Sequence, residues 1–307
     1  MARVSNHGPR GHPSRWQLRD APPGRAPTMA NHPRPRGRIR TSQKNRNRIT
    51  DSLGCRTKGA IINMTANIYD RPDFFEGYSR LGRSVDGLDG AAEWPALRAM
   101  LPDMNGLRAV DLGCGFGWFC RWARERGAAH VVGFDMSEKM LARARATTSD
   151  NSISYERADL EQLDLPATRF DLAYSSLALH YIRDAARLFG TIHQALVPNG
   201  HFVFSTEHPI YMAPTNPGWS IDAEGRKTWP LDRYLVEGPR TTDWLAKGVV
   251  KHHRTMATTL NLLIRSGFVI GHVEEFCPTL EQIAAKPELA AERERPMFLL
   301  IAARRHG

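Results

Sequence analysis

The chain of 307 residues is 41% apolar and carries 42 Lys and Arg against 32 Asp and Glu, for a net charge of +10. That is enough apolar material for one large core or two small ones, while the longest apolar run, "MFLLIAA" at 297–303, is far too short to span a bilayer. The charge is uneven: residues 1–63 hold 14 basic residues and two acids, whereas 64–307 hold 28 basic and 30 acidic, a balance of −2.

Residues 1–63 are rich in Pro, Arg and Asn without apolar spacing, which predicts a disordered tail unable to offset its ordering entropy. Its charge is compatible with a nucleic-acid-binding arm. A transit peptide would be Arg-rich too, but the prolines here break any amphipathic helix. The simplest reading makes Met64, opening "MTANIYDRPDFFEGY", the biological start and 64–307 the functional domain. No apolar segment of signal-peptide type follows the N-terminus. Cys55, Cys114, Cys120 and Cys277 lack metal-ligand spacing, so reduced thiols in a cytoplasmic protein are expected.

From 107 onward, strand-length apolar runs alternate with helix-period stretches. "LRAVDLG" (107–113) reads as a strand, followed by a helix through "FCRWARERG" with Gly127 as its C-cap. "HVVGFDMS" (130–137) and the helix "EKMLARARATT" come next. "ISYERADL" (153–160), "RFDLAYSSLAL" (169–179) and "HFVFSTEH" (201–208) continue the strands, with the helix "AARLFGTIHQAL" stopped by "VPNG". After a polar stretch bearing Pro and Trp (209–250) come the helix "MATTLNLLIRSG", the strand "FVIGHVEEF" and a final strand "FLLIAARR". Such alternation predicts an α/β fold, a mostly parallel sheet covered by helices on both faces.

Three glycines, Gly113, Gly115 and Gly117, follow the first strand at alternate positions, preceded by Asp111. The spacing fits neither a Walker phosphate loop, which needs a Lys, nor the G-x-G-x-x-G dinucleotide fingerprint. A zwitterionic ligand whose ammonium meets the neighbourhood of Asp111 fits better. Asp135 ends the second strand, where a carboxylate can accept both ribose hydroxyls. Asp159 ends the third strand in "RADL", where it can meet an exocyclic amine while Leu160 covers an adenine face. Acids at the carboxyl ends of three successive strands converge on the crevice where open α/β sheets bind ligands.

With these residues in view, the chain resembles class I S-adenosylmethionine-dependent methyltransferases: "VDLGCGFG", "GFDMS" and "ERADL" are similar to their first three motifs, over about 64–307. The resemblance is to the type-11 small-molecule branch. It implies a Rossmann-like seven-stranded sheet of order 3-2-1-4-5-7-6 with the last strand antiparallel. It also implies that Gly113, Cys114, Gly115 and Gly117 cradle the methionine part and that Asp135 holds the ribose. Met136 would pack on the adenine, Asp159 and Leu160 would read it, and Ser175 and Ser176 would flank the sulfonium. Tyr78 and Arg83 would form a lid over the cofactor carboxylate, the alternative being a helix packed on the sheet edge.

On the acceptor side, "SSLALHY" after the fourth strand lacks the [DNS]-P-P-[YFW] pattern of base-directed amino methyltransferases, no nucleophilic Cys stands there, and no acidic trio for Mg²⁺ stands out. His180 and His208 are expected at strand ends facing the crevice, as general bases or as satisfied structural histidines. Residues 209–250 are expected to form a substrate lid carrying Tyr211, Trp219, Trp229, Tyr234 and Trp244. Lys251, His253 and Arg254 are expected at a helix start, where cations oppose the dipole and point either to an anionic partner or to a solvated helix end. The expected activity is methylation of a small molecule at O, N or C. The alternative is an RNA- or protein-directed methyltransferase recruited by the basic tail, which the charge of the body disfavours.

Overall fold

The computed structural model describes residues 68–307. The basic segment 1–63, its boundary at Met64 and Cys55 lie outside the described residues.

Three short helices open the described chain: α1 (Pro72–Ser79), α2 (Gly82–Val85) and α3 (Trp94–Ala99). The α/β alternation follows in β1 (Arg108–Leu112), α4 (Trp118–Glu125), β2 (His130–Asp135), α5 (Glu138–Ala146), β3 (Ile153–Arg157), β4 (Phe170–Ser176), α6 (Ala185–Ala195) and β5 (Leu196–Glu207). Then come α7 (Pro209–Met212), β6 (Ser220–Ile221), β7 (Lys227–Thr228), β8 (Gly238–Trp244), β9 (Ala246–His253), α8 (Met256–Arg265), β10 (Phe268–Glu275), α9 (Leu280–Ala285) and β11 (Phe298–Arg305).

Seven strands form one sheet in the order β3-β2-β1-β4-β5-β11-β10. The first five are mutually parallel, and β11 runs antiparallel to both β5 and β10. This is the 3-2-1-4-5-7-6 order expected, with the reversed strand inserted between the fifth and sixth.

Alternation of side chains along each strand divides the core between two faces. Val110 and Leu112 of β1, Ala173 of β4 and Phe202 and Phe204 of β5 join Leu188, Phe189 and Ile192 of α6 and Leu263 of α8. Their strand neighbours Ala109, Leu172, Tyr174 and Val203 join Trp94 and Leu97 of α3, and Phe119, Cys120 and Ala123 of α4. Both faces are therefore buried, which is why these strands read as nearly continuous apolar runs.

The second half departs from the expected layout. Residues 209–250 are not irregular throughout: they hold α7, the small β6–β7 pair and most of a hairpin in which β8 pairs antiparallel with β9. The segment "KGVVKHH" is strand, and the helix after it begins only at Met256, capped by the Thr255 side chain accepting the Thr258 N–H. Lys251 and His253 therefore sit within a strand, not at a helix start. Their misreading has a physical cause: β9 turns Val249, Lys251 and His253 inward together, so two of its three buried side chains are polar and the usual apolar alternation is lost.

The helix α4 is fastened to the sheet by Phe119, whose ring stacks on that of Tyr174 with centroids 3.7 Å apart and planes 10° from parallel. Phe119→Ala should lower stability by about 3–5 kcal/mol, read as a shifted midpoint in urea unfolding, whereas Phe119→Leu should cost substantially less.

Candidate active site

The turn from β1 into α4 can be followed atom by atom. Gly113, Gly115 and Gly117 have φ of +85°, +51° and +73°, the left-handed region that side chains disfavour. Space matters as well: a Cβ on Gly113 would lie 2.5 Å from the Ala178 methyl, and one on Gly117 would lie 2.1 Å from the Tyr155 hydroxyl. The N–H groups of Gly113 and Cys114 both donate to the Phe134 carbonyl, fixing the loop to the end of β2.

Asp135 closes that strand and holds the loop from the other side. Its Oδ2 accepts the Gly115 N–H at 2.9 Å and its Oδ1 the Ser137 N–H at 2.8 Å. Burial raises its pKa to about 6, opposed by these amide hydrogen bonds. Ser137 in turn caps α5 and donates its hydroxyl to Asp70. After β3, which ends at Arg157, Asp159 accepts the Glu161 N–H at 2.9 Å.

These elements border a cavity of about 850 Å³. Of the residues expected at a cofactor, Gly113, Gly115, Asp135, Met136, Asp159, Leu160, Ser176, Tyr78 and Arg83 line it. Asp111 and Cys114 line a side recess of about 80 Å³ that shares Gly113, Gly115, Tyr78 and Arg83 with the main cavity. Asp111 is buried beneath the loop and accepts the Cys120 thiol, and desolvation raises its pKa to about 7. Gly117 packs on Tyr155 and borders neither space. Ser175 is fully buried and donates its hydroxyl to the Leu112 carbonyl, joining β4 to β1, so its side chain is committed to the sheet.

Arg83 donates to both oxygens of Glu93 at 2.9 and 3.1 Å, and Glu93 is itself buried. Burial lowers the affinity of the guanidinium for its proton, and Glu93 more than restores it.

The expected acceptor-side residues divide. His180 lines the cavity from a one-turn helix after β4, as do Tyr211 and Trp244. His208 does not border it. It caps α7, its Nδ1 accepting the Ile210 N–H at 3.1 Å, while Nε2 lies 2.8 Å from Glu275. Both ring nitrogens are thereby used, and only 1% of the residue is exposed. Trp219 and Trp229 pack with Tyr211 around the Arg295 guanidinium, which lies 4.2–5.3 Å from the three ring centroids. Of this cluster only Tyr211 lines the cavity, and Trp219 and Trp229 fasten the insertion behind it. The Tyr234 hydroxyl accepts the Met256 N–H, and its carbonyl lies 2.8 Å from His253 Nε2. Arg254 donates to the carbonyls of Leu179 and Ile182, so the expected opening for an anion at that point is already filled.

Reading the sequence missed several lining residues: Tyr69, Glu93, Glu161, Tyr181, Glu207, His252 and Phe298. Glu207 stood beside a highlighted histidine in "STEHPIY", and strand alternation there would have turned attention from His208 to its neighbour. Tyr69 and Phe298 carried no local signal. Among the described residues no group of three or more His, Cys, Asp or Glu is placed to hold a metal ion, and no helix is long and apolar enough to cross a membrane.

A Rossmann-like sheet with a glycine turn and strand-end acids around one cavity defines a nucleoside-cofactor enzyme, and comparison with known proteins makes the class specific. Residues 110–204 match the family model described as a methyltransferase domain, type 11. A crystal structure of an S-adenosylmethionine-dependent methyltransferase from Mesorhizobium loti is 77% identical, covering 71% of this chain and 100% of its own, with a TM-score of 0.70. An uncharacterized Haemophilus influenzae protein is 35% identical over 80% of this chain and 99% of its own length. A malonyl-[acyl-carrier protein] O-methyltransferase of Pectobacterium atrosepticum is 34% identical, but the match covers 46% of this chain and only 55% of that protein. The chain belongs to the class I S-adenosylmethionine-dependent methyltransferases. It is an enzyme, and S-adenosylmethionine is its cofactor.

Two outcomes follow from the placement of these side chains. Asp111 holds its proton to about pH 7 when folded, against an ordinary carboxyl value of 3.8. The folded chain thus binds more protons than the unfolded one between these values, and stability falls as pH rises through that window. Asp111→Asn should shrink the loss of urea stability between pH 5 and pH 8 by about 2–3 kcal/mol, at roughly 1.4 kcal/mol per pH unit. His208→Ala should cost about 1–3 kcal/mol of stability through the lost cap and the lost bond to Glu275, with the affinity for S-adenosylmethionine measured by calorimetry within twofold of the parent.

Proposed function

We propose that this enzyme transfers the methyl group to a small-molecule acceptor bound in the same cavity as the cofactor. The observation that carries the reading is the single cavity of about 850 Å³, which runs from the glycine turn, Asp135 and Asp159 to Glu207, Tyr211 and Trp244. Sites for single drug-sized ligands span about 300–1,000 Å³, so this space suits a nucleoside cofactor together with a compact acceptor. The balance of −2 over residues 64–307 also favours a small acceptor over a polyanionic one.

The residues fit the cofactor. The side-chain-free edge at Gly113 and Gly115 leaves room for a ligand against the backbone. Asp135 would accept the ribose hydroxyls, Met136 and Leu160 would cover the adenine, and Asp159 would meet its amine. Tyr78 and Arg83, with the recess beside Asp111, would enclose the amino-acid end. When bound, the cofactor supplies an electrophilic methyl on a cationic sulfur. The protein's share is to align the acceptor and exclude water, effects worth several kcal/mol when the reacting atoms are held in line.

Two walls of the acceptor side come from the 209–250 insertion and its continuation. Tyr211 stands on α7 and Trp244 at the tip of the β8–β9 hairpin, and the Arg295 cluster secures the intervening segment. The insertion thus serves as a lid whose aromatics shape the acceptor space.

Asp135→Ala removes a carboxylate that would hold the ribose and that latches the Gly115 amide. It should weaken S-adenosylmethionine binding by about 10- to 100-fold, the equivalent of roughly 1.5–3 kcal/mol. Isothermal calorimetry on the full chain measures this, and unchanged affinity would overturn the assignment.

A further inference from the structure

On the side of the cavity built by β5, α7 and the β8–β9 hairpin, one carboxylate stands among aromatic rings. Glu207 ends β5, is largely buried and lines the cavity with Tyr181, Tyr211 and Trp244. Its Oε1 receives the Lys251 ammonium from β9, a residue only 3% exposed. Its Oε2 has no hydrogen-bond partner among the described residues. Burial raises the pKa of Glu207, and Lys251 opposes that rise, keeping an acceptor oxygen in an apolar setting.

The cations around this space are already engaged, and Glu161 on the same cavity accepts the Arg183 and Asp184 amides. Lys251 is spent on Glu207, Arg254 on three carbonyls and Arg83 on Glu93. Arg71 pairs with Asp73, and Lys286 is exposed to solvent. His180 accepts the Glu207 N–H at Nδ1, at 3.4 Å, and its Nε2 lies 3.9 Å from Glu207 Oε1. Burial, reinforced by Lys251, Arg254 and Arg83, holds the imidazole neutral. An anionic acceptor would find no unspent buried cation. An ammonium acceptor would face Lys251 across a carboxylate that is already neutralised, beside a cofactor that is itself cationic. Both would lose water for little return beside Glu207, which disfavours a charged acceptor there. A neutral donor meets none of these penalties: it can satisfy Oε2, and a flat ring can pack between the aromatic side chains.

We infer that the methyl acceptor is an uncharged planar ring bearing a hydroxyl or N–H, recognised through a hydrogen bond to Glu207 Oε2 between Tyr181, Tyr211 and Trp244. This rests on the proposed reading of the cavity as a joint cofactor and acceptor site. Glu207 is then the residue that sets specificity, and Lys251 positions it.

The test uses the full chain saturated with S-adenosylhomocysteine and titrated calorimetrically with 4-methylphenol, benzoate and benzylamine at neutral pH. The expected result is saturable binding of 4-methylphenol, with benzoate and benzylammonium at least tenfold weaker. Glu207→Gln alone strands a buried Lys251 and risks unfolding, so the decisive variant pairs E207Q with Lys251→Met. It should lose at least tenfold in affinity for 4-methylphenol while its affinity for S-adenosylhomocysteine stays within twofold. Equal or tighter binding of either charged probe, no binding of 4-methylphenol, or unchanged 4-methylphenol binding in the double variant would each overturn the inference. Failure of S-adenosylhomocysteine itself to bind would instead overturn the reading of the cavity beneath it.

Discussion

The carboxylate of Asp135 ties together the glycine turn after β1 and the start of the helix after β2, reinforcing the Phe134 carbonyl that already holds that turn. It receives the amide of the glycine turn after β1 and the amide of Ser137, which caps the helix after β2 and reaches back to Asp70 near the start of the described chain. A buried carboxylate is costly unless its lone pairs are used, and here backbone donors use them. The same group therefore sets the conformation of the glycine turn, and under the proposed reading of the site ribose binding and local folding would be coupled through one side chain.

Around that latch the two halves of the cavity are built by different means. The half beside β1, β2 and β3 is made of turns close in sequence to the strands they follow, held by backbone hydrogen bonds. The half beside β5 is made by long-range contacts: an ion pair from β9 to the end of β5, and an arginine just before β11 clasped by three aromatics of the insertion. At the end of β4, Leu177 takes a left-handed φ of +53° and turns the chain so that Ala178 abuts Gly113. Strain of this kind persists where the surrounding packing over-determines it, and here it lies between the two halves.

The buried charges are held in two different ways. Asp111 and Asp135 are carboxyls raised by burial under a loop of amides, whereas Glu207 and Glu93 are each held against a cation. A buried ion pair contributes little net stability compared with an apolar pair of the same size. Placing two of them on the cavity wall fits a role in selecting what enters better than a role in holding the fold.

The β/α alternation, the sheet order that the family resemblance implied and the strand-end acids were legible in the sequence because each depends on spacing within a few residues. A strand buried on both faces must be apolar throughout, a turn at positive φ favours glycine, and a carboxylate just after a strand must lie at the sheet's carboxyl edge. The acceptor side was not legible in this way. His208 and Glu207 are neighbours, and which one turns toward the cavity is decided by where β5 ends and α7 begins, since a shift of one residue exchanges the faces of a strand. Lys251 and His253 read as a helix start because cations on an inward strand face are costly unless partners come from elsewhere, and their partners, Glu207 and the Tyr234 carbonyl, lie 44 and 19 residues away. Local sequence therefore determined the β/α alternation and the strand-end acids, and the tertiary structure alone decided the Glu207 side of the cavity, because its contacts join residues whose proximity no short-range pattern encodes.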